Sequence, residues 1–330
     1  MKRRKFARNS TLALGSLMML RCKTETTIKE AKESIIKNSK VTDINVLSDF
    51  GLQLWSVRDS MAEDPKGTLK KLSDIGYTDI ESAGYENGAF YGMKPTEFKK
   101  VISDLGLKIR SSHTKTGVGN PEFVGSMTNG WKQAIEDAKE VGTQSLVLGW
   151  ISEDERKSID DYKRLSELLN KCGEIANEYD INLGYHNHDF EFLKFGYDVP
   201  YDILLNSTDA DKVFFEMDHY WVKKGNADTF AYFNKYPGRF PVWHVKDMDD
   251  TEEQFFTEVG SGIINYVDIF KKQKQAGLKY FYVEQDAYKD IEPLASVEKS
   301  HDYLKGNEVI VMYRSILEEF LLEVVYKLNC

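Results

Sequence analysis

Two pairs of chemically capable residues stand two positions apart in this chain: His186 and His188 in Tyr185-His186-Asn187-His188, and His244 and Lys246 in Trp243-His244-Val245-Lys246. Side chains alternate along a strand, so each pair points to one face if its segment is extended. Asp218 closes Phe215-Glu216-Met217-Asp218, and Glu284 lies in Tyr282-Val283-Glu284-Gln285-Asp286. Brought together, His186, Asp218, His244 and Glu284 form a nitrogen and oxygen set that suits one divalent cation, Mn²⁺, Co²⁺, Zn²⁺ or Mg²⁺, with the acids ionised and the imidazoles neutral. The alternative is a hydrogen-bonded polar layer with a purely structural role. A cation bound to a ketone oxygen and its neighbouring hydroxyl stabilises the enediolate left when an α-proton departs. Proton transfer then falls to Glu81, His188, Lys246 or Glu284. Each has a plainer role open to it: a salt bridge in the barrel mouth for Glu81, an ion pair with Glu216 or Glu284 for Lys246, and orientation of His186 for His188.

His113, in Ser112-His113-Thr114, is a candidate substrate contact. Trp55, Trp150 and Trp221 offer flat faces on which a sugar ring can stack, or they pack the rim. A phosphorylated sugar calls for Arg or Lys beside a helix N-terminus, and no such cluster is present, so the expected substrate is a non-phosphorylated carbohydrate. His219 faces outward by parity and is read as structural, and His301 as a surface residue.

The elements that must position these groups are short β-rich runs alternating with amphipathic stretches. The runs are 51–58, 77–84, 107–115, 143–151, 181–192, 213–222, 239–247 and 278–286, eight in all. Between them lie helical candidates such as 65–75, 95–105, 130–141, 159–179 and 266–276, several ending in glycine just before the next strand. Eight strands with helical crossovers over residues 50–305 predict a single (β/α)8 barrel, whose chemistry lies at the carboxyl ends of the strands. Five of the six histidines fall there. A doubly wound open sheet is the rival, but no glycine-rich phosphate loop follows the first strand. Residues 306–330 carry apolar residues at helical spacing and predict a C-terminal helical extension that covers the barrel bottom, makes an oligomer contact or simply packs.

Residues 1–22 hold six positive charges and no acid, then an apolar run from Leu12 to Leu20 too short to span a bilayer, which reads as a signal sequence. Arg3-Arg4-Lys5-Phe6 resembles the twin-arginine export signal. Cys22 resembles the lipid-attachment cysteine of a bacterial lipoprotein; otherwise signal peptidase cuts elsewhere. Residues 23–49 read as a polar tether. The expected location is exported, periplasmic or membrane-anchored. The net charge of −9 leaves no general basic surface, which argues against a nucleic-acid partner. Three cysteines with no C-x-x-C pair predict neither a disulfide framework nor a thiolate zinc site.

Taken together, Gly76-Tyr77-Thr78-Asp79-Ile80-Glu81, Tyr185-His186-Asn187-His188, Asp218, His244-Val245-Lys246-Asp247 and Glu284 resemble the xylose isomerase-like barrels known as sugar phosphate isomerases/epimerases. Inosose dehydratases, ketose 3-epimerases and 3-keto-glycoside lyases belong to the same group. The resemblance implies one divalent ion held by an acid on strand five, Asp218 on strand six, His244 on strand seven and Glu284 on strand eight. Strand five departs from the pattern: Gly184 aligns with the usual Glu, and His186 stands two residues on. Because that Glu is both ligand and base in ketose epimerases, its loss disfavours two-base epimerisation and favours other reactions that begin with enolisation. The expected activity is a metal-dependent sugar isomerase or epimerase acting on a ketosugar or keto-glycoside. The alternatives are a 3-keto-glucoside 1,2-lyase and a non-catalytic sugar-binding lipoprotein.

Overall fold

A computed structural model describes residues 50–306. The signal sequence, Cys22, the tether and the C-terminal extension beyond residue 306 lie outside the described residues. Eight parallel strands close into a barrel: β1 (Gly51–Gln53), β2 (Asp79–Ser82), β3 (Lys108–Lys115), β4 (Ser145–Trp150), β5 (Asn182–His186), β6 (Val213–Asp218), β7 (Val242–Val245) and β8 (Tyr280–Val283). Each strand pairs with its neighbours in sequence, and β8 pairs back onto β1. This is the (β/α)8 architecture that the alternation predicts. Among the described residues, no helix is long and apolar enough to cross a membrane.

Alternation decides which side chains meet the helices and which fill the barrel. Leu52, Ile80, Leu183, Phe215, Trp243 and Phe281 are buried in the wall. Inside, the base holds an Arg110–Asp79 ion pair at 2.5 Å, a Ser145–Tyr280 hydroxyl contact and the Phe214 ring. Above it lies a polar layer of Gln53, Glu81, His113, His186, Glu216 and His244, and above that Asp218, Lys246 and Glu284 at the carboxyl rim. Gly76 (φ 114°) and Gly142 (φ 98°) end their helices in the left-handed conformation that closes the last turn without a Cβ clash.

Several strands are shorter than the sequence predicts, because side chains near their ends cap the turn or helix that comes next. β1 stops at Gln53, whose amide oxygen accepts from Trp55 N at 3.1 Å and starts the 3₁₀ turn Leu54–Val57. β6 stops at Asp218, whose Oδ1 accepts from Trp221 N at 3.1 Å and caps the helix His219–Lys224. After β5, Glu191 accepts from the Tyr185 hydroxyl at 2.6 Å and from His188 N at 2.8 Å, which folds the chain into a short turn. The single helix expected over 266–276 is two pieces, Tyr266–Phe270 and Gln273–Ala276. His301 is not a surface residue. It is 6% exposed, with its ring 5.4 Å from Phe50 and 5.0 Å from Tyr77, because the helix Pro293–Gly306 presents Val297, His301 and Leu304 along one buried stripe.

Candidate active site

A cavity of about 510 Å³ opens at the carboxyl rim. Trp55, Trp150, Trp221, Phe123 and Phe256 line its walls, and His113, His186, His188, Glu284 and Asp286 supply its polar surface. Trp55 and Trp150 are 46% and 51% exposed, so two large flat faces stand open at the mouth. Phe256 arrives on the hairpin formed by Asp247–Met248 and Phe256–Thr257. Asp247 anchors that loop by accepting from the backbone N–H groups of Met248, Gly260, Gly262 and Ile264.

The four residues expected to hold a cation converge. His186 Nε2 lies 3.8 Å from Asp218 Oδ2, His244 Nδ1 lies 4.0 Å from the same oxygen, and His244 Nδ1 lies 2.8 Å from Glu284 Oε2. One ligand atom from each falls within 4.8 Å of all the others, and all four residues are buried. Asn187 fixes the two central strands by donating to Asp218 O and accepting from Asp218 N. His113, which the sequence offers as a substrate contact, lines the cavity and also reaches down to Glu216 and Glu81 at 3.0 and 3.3 Å. Its ring fits because β4 carries Gly149 beside it: a Cβ there would stand 2.2 Å from His113 Nδ1.

Lys246 is buried at 1% exposure, with Nζ 3.0 Å from Asp218 and 2.8 Å from both Glu284 and Asp286. Of the two ion pairs weighed from sequence it makes the one with Glu284, and Asp218 and Asp286 join it. His188 packs against Trp150, Phe190 and Trp221, and its Nδ1 is buried without a partner. Glu81 is fully buried in the layer below, between Gln53 Nε2 at 2.7 Å and His244 Nε2 at 2.6 Å. His219 is the first residue of the helix His219–Lys224, not part of a strand, and packs against Trp243 on the outer side of the wall. Gln53 is a part of this network that the sequence did not single out, and Glu216, offered there only as a partner for Lys246, instead meets His113, His186 and His244.

Glu81, Glu216, Asp218 and Glu284 are all buried; Lys246 is the one ammonium beside them, and the imidazoles of His113 and His244 carry the rest of the balancing charge. Burial pushes Asp218 up, against the pull of Lys246. Burial together with the Glu81 charge pushes Glu216 up to about 7. Burial opposes charge on the imidazoles too, yet Glu81 and Glu216 hold His113 up to about 10, and the carboxylates around His244 hold it well above its ordinary value. Asp218 Oδ2 is buried and accepts no hydrogen bond even with Lys246 at 3.0 Å. Buried carboxylates are stable only when paired or coordinated; Lys246 and the protonated imidazoles pair them here, and the donor set fits a divalent cation that would take the place of the imidazole protons.

The family model for the xylose isomerase-like TIM barrel matches residues 69–306. An inosose dehydratase of Lacticaseibacillus casei is 25% identical over 281 residues, which cover 79% of this chain and 87% of that protein. Among solved structures, a sugar phosphate isomerase/epimerase from Parabacteroides distasonis is 30% identical with a TM-score of 0.70, covering 79% of this chain and 99% of that one. An IolI protein holding a zinc atom and an L-ribulose 3-epimerase, each 14% identical with TM-scores of 0.59 and 0.61, share the fold. These relatives mark the chain as an enzyme of the isomerase, epimerase or lyase type. With the family model covering nearly the whole described barrel, the chain belongs to the xylose isomerase-like TIM barrel family.

Proposed function

We propose that this chain is a divalent-cation-dependent enzyme that removes a proton beside the carbonyl of a non-phosphorylated ketosugar or keto-glycoside, and then isomerises, epimerises or eliminates. The observation that carries this reading is the convergence of one donor atom each from buried His186, Asp218, His244 and Glu284 to within 4.8 Å of one another beside an aromatic-walled cavity. A cation held by these four would supply Lewis-acid polarisation of a carbonyl oxygen and its neighbouring hydroxyl.

The proton chemistry divides between two residues by their surroundings. Burial, reinforced by the Lys246 charge, keeps the His188 imidazole neutral, and its free Nδ1 leaves it able to take a proton from a substrate carbon. Lys246 is the opposite case. Despite burial, Asp218, Asp286 and Glu284 hold its ammonium in the charged form, which suits it to neutralise negative charge developing on the substrate oxygen and to return a proton. Trp55, Trp150 and Trp221 would stack on the sugar and shield the exchange from water. Lys115 is the one Lys or Arg among the described lining residues, and it lies 4.5 Å over the Phe123 ring, an arrangement that makes no phosphate cradle.

Elimination is the second reading. The curated relatives named inosose dehydratase support it, and the cavity's size and apolar mouth favour a glycoside, as a 3-keto-glucoside 1,2-lyase requires. Residues 1–22 add the proposal that the enzyme acts after export, with Cys22 as a lipid anchor. The test is to measure bound metal, then incubate the protein with 3-keto-glucosides and with simple ketoses in D₂O. Deuterium entering the carbon next to the carbonyl supports enolisation, and release of the aglycone selects the lyase. No metal and no exchange with any of these sugars would sink the enzyme reading.

A further inference from the structure

Glu216 stands outside the His186, Asp218, His244 and Glu284 set, and with His113, His186 and His244 it forms a second cluster whose donor atoms lie within 4.8 Å of one another. β5 and β6 pair with His186 opposite Glu216, so the two side chains enter the same layer side by side. Glu216 Oε2 lies 3.0 Å from His113 Nε2, 3.2 Å from His186 Nδ1 and 3.2 Å from His244 Nε2. The residue is 0% exposed, and its second oxygen is buried without a partner.

A carboxylate oxygen facing an imidazole nitrogen selects the tautomer in which that nitrogen carries the hydrogen. For His186 this is Nδ1–H, which leaves the Nε2 lone pair directed at Asp218 Oδ2, 3.8 Å away. His244 differs: Glu81 Oε2 stands 2.6 Å from its Nε2 and Glu284 Oε2 2.8 Å from its Nδ1, so by the same rule both nitrogens carry a hydrogen until a cation takes the place of the one on Nδ1. Glu216 beneath the rim thus aims the His186 lone pair at Asp218, and Glu81 holds the His244 ring from below. Gly184 stands a layer lower, beside Phe214 in the barrel base, so the strand-five residue that reaches the cation site is His186.

We infer that Glu216 is a positioning residue for the cation site: it fixes the tautomer and ring orientation of His186 from the neighbouring strand and does not itself bind the ion. The inference rests on the cation-binding reading above, and metal-ligating histidines gain affinity when their other ring nitrogen is held by a carboxylate. The experiment compares the full chain with Glu216→Met, of similar length and without a carboxylate, Glu216→Gln, which keeps an acceptor, and Glu216→Ala. Co²⁺ affinity and stoichiometry are read by competition with a chromophoric chelator, and the His186 tautomer by ¹⁵N-histidine NMR of the metal-free protein.

The expected result is that Glu216→Met weakens Co²⁺ binding by about 10–100-fold at unchanged stoichiometry. His186 then loses its Nδ1–H form, while Glu216→Gln recovers most of both. Unchanged affinity and tautomer in Glu216→Met overturn the inference. A fall in the number of ions per chain also overturns it, because Glu216 is then a ligand. A wild-type chain that binds no Co²⁺ overturns the cation reading instead, and the metal-free tautomer still decides whether Glu216 aims His186. Glu216→Ala replaces Glu216→Met if circular dichroism shows that variant to be unfolded.

Discussion

The two ends of the barrel interior solve the same electrostatic problem in opposite ways. At the base, Asp79 meets Arg110 at 2.5 Å, with the guanidinium partly open to water. At the rim and the layer under it, Asp218 and Glu284 share the Lys246 ammonium, and Glu81 and Glu216 meet the imidazoles of His113 and His244. The base is closed by a permanent guanidinium, whereas much of the balancing charge near the rim sits on imidazoles, which can give up protons to a cation. The difference separates an ion pair that holds the fold together from a set of acids arranged to receive a ligand.

The sharpest way to break this comparison is to neutralise one acid at each end. Asp218→Asn and His244→Ala should each abolish metal retention and slow deuterium exchange by more than about 10³-fold, roughly 4 kcal/mol. Asp79→Asn should leave metal content at the wild-type level. Equal metal loss at both ends, measured by elemental analysis, would erase the distinction. Next in size is His188→Gln, which should lower the exchange rate by about 10²–10⁴-fold while metal stays bound, as expected for a proton-transfer group. If the rate holds, the proton goes elsewhere, and Lys246 becomes the residue to test.

A smaller effect comes from the outer side of the same wall. Burial, with a lesser push from His244, lowers His219 to about 3. The unfolded chain takes up a proton near the ordinary value of about 6.5, so between pH 6.5 and 3 it binds more protons than the native state and stability falls as pH falls. Wild type should lose about 2 kcal/mol more than His219→Phe between pH 6.5 and 5, read from urea unfolding in the presence of chelator. An equal loss in both proteins would place the acid sensitivity elsewhere. Smallest is Trp150→Ala, which should raise KM by about tenfold with kcat nearly unchanged, since it removes a stacking face that binds substrate throughout the reaction.

Much of this was legible in the sequence, and the illegible parts share a cause. Alternation within a strand is a local property, so His186 and His244 could be read directly. Pairing register is not local: nothing in Phe215-Glu216-Met217 says that Glu216 will stand beside His186 or that His113 will reach it from β3. Strand ends were misjudged where a side chain caps the next element, as Gln53 and Asp218 do, because an extended run and a capping residue look alike in one dimension. His301 did carry a signal, the spacing Val297, His301 and Leu304, which marks a buried stripe even when one member is polar.

Phe214 beside Gly184 also decides where strand five can carry a charge. A side chain at 184 would have to displace the half-buried Phe214 ring and would still stand two residues below the donor set. A designer who wants an acid on strand five should therefore exchange His186 itself and leave the base untouched.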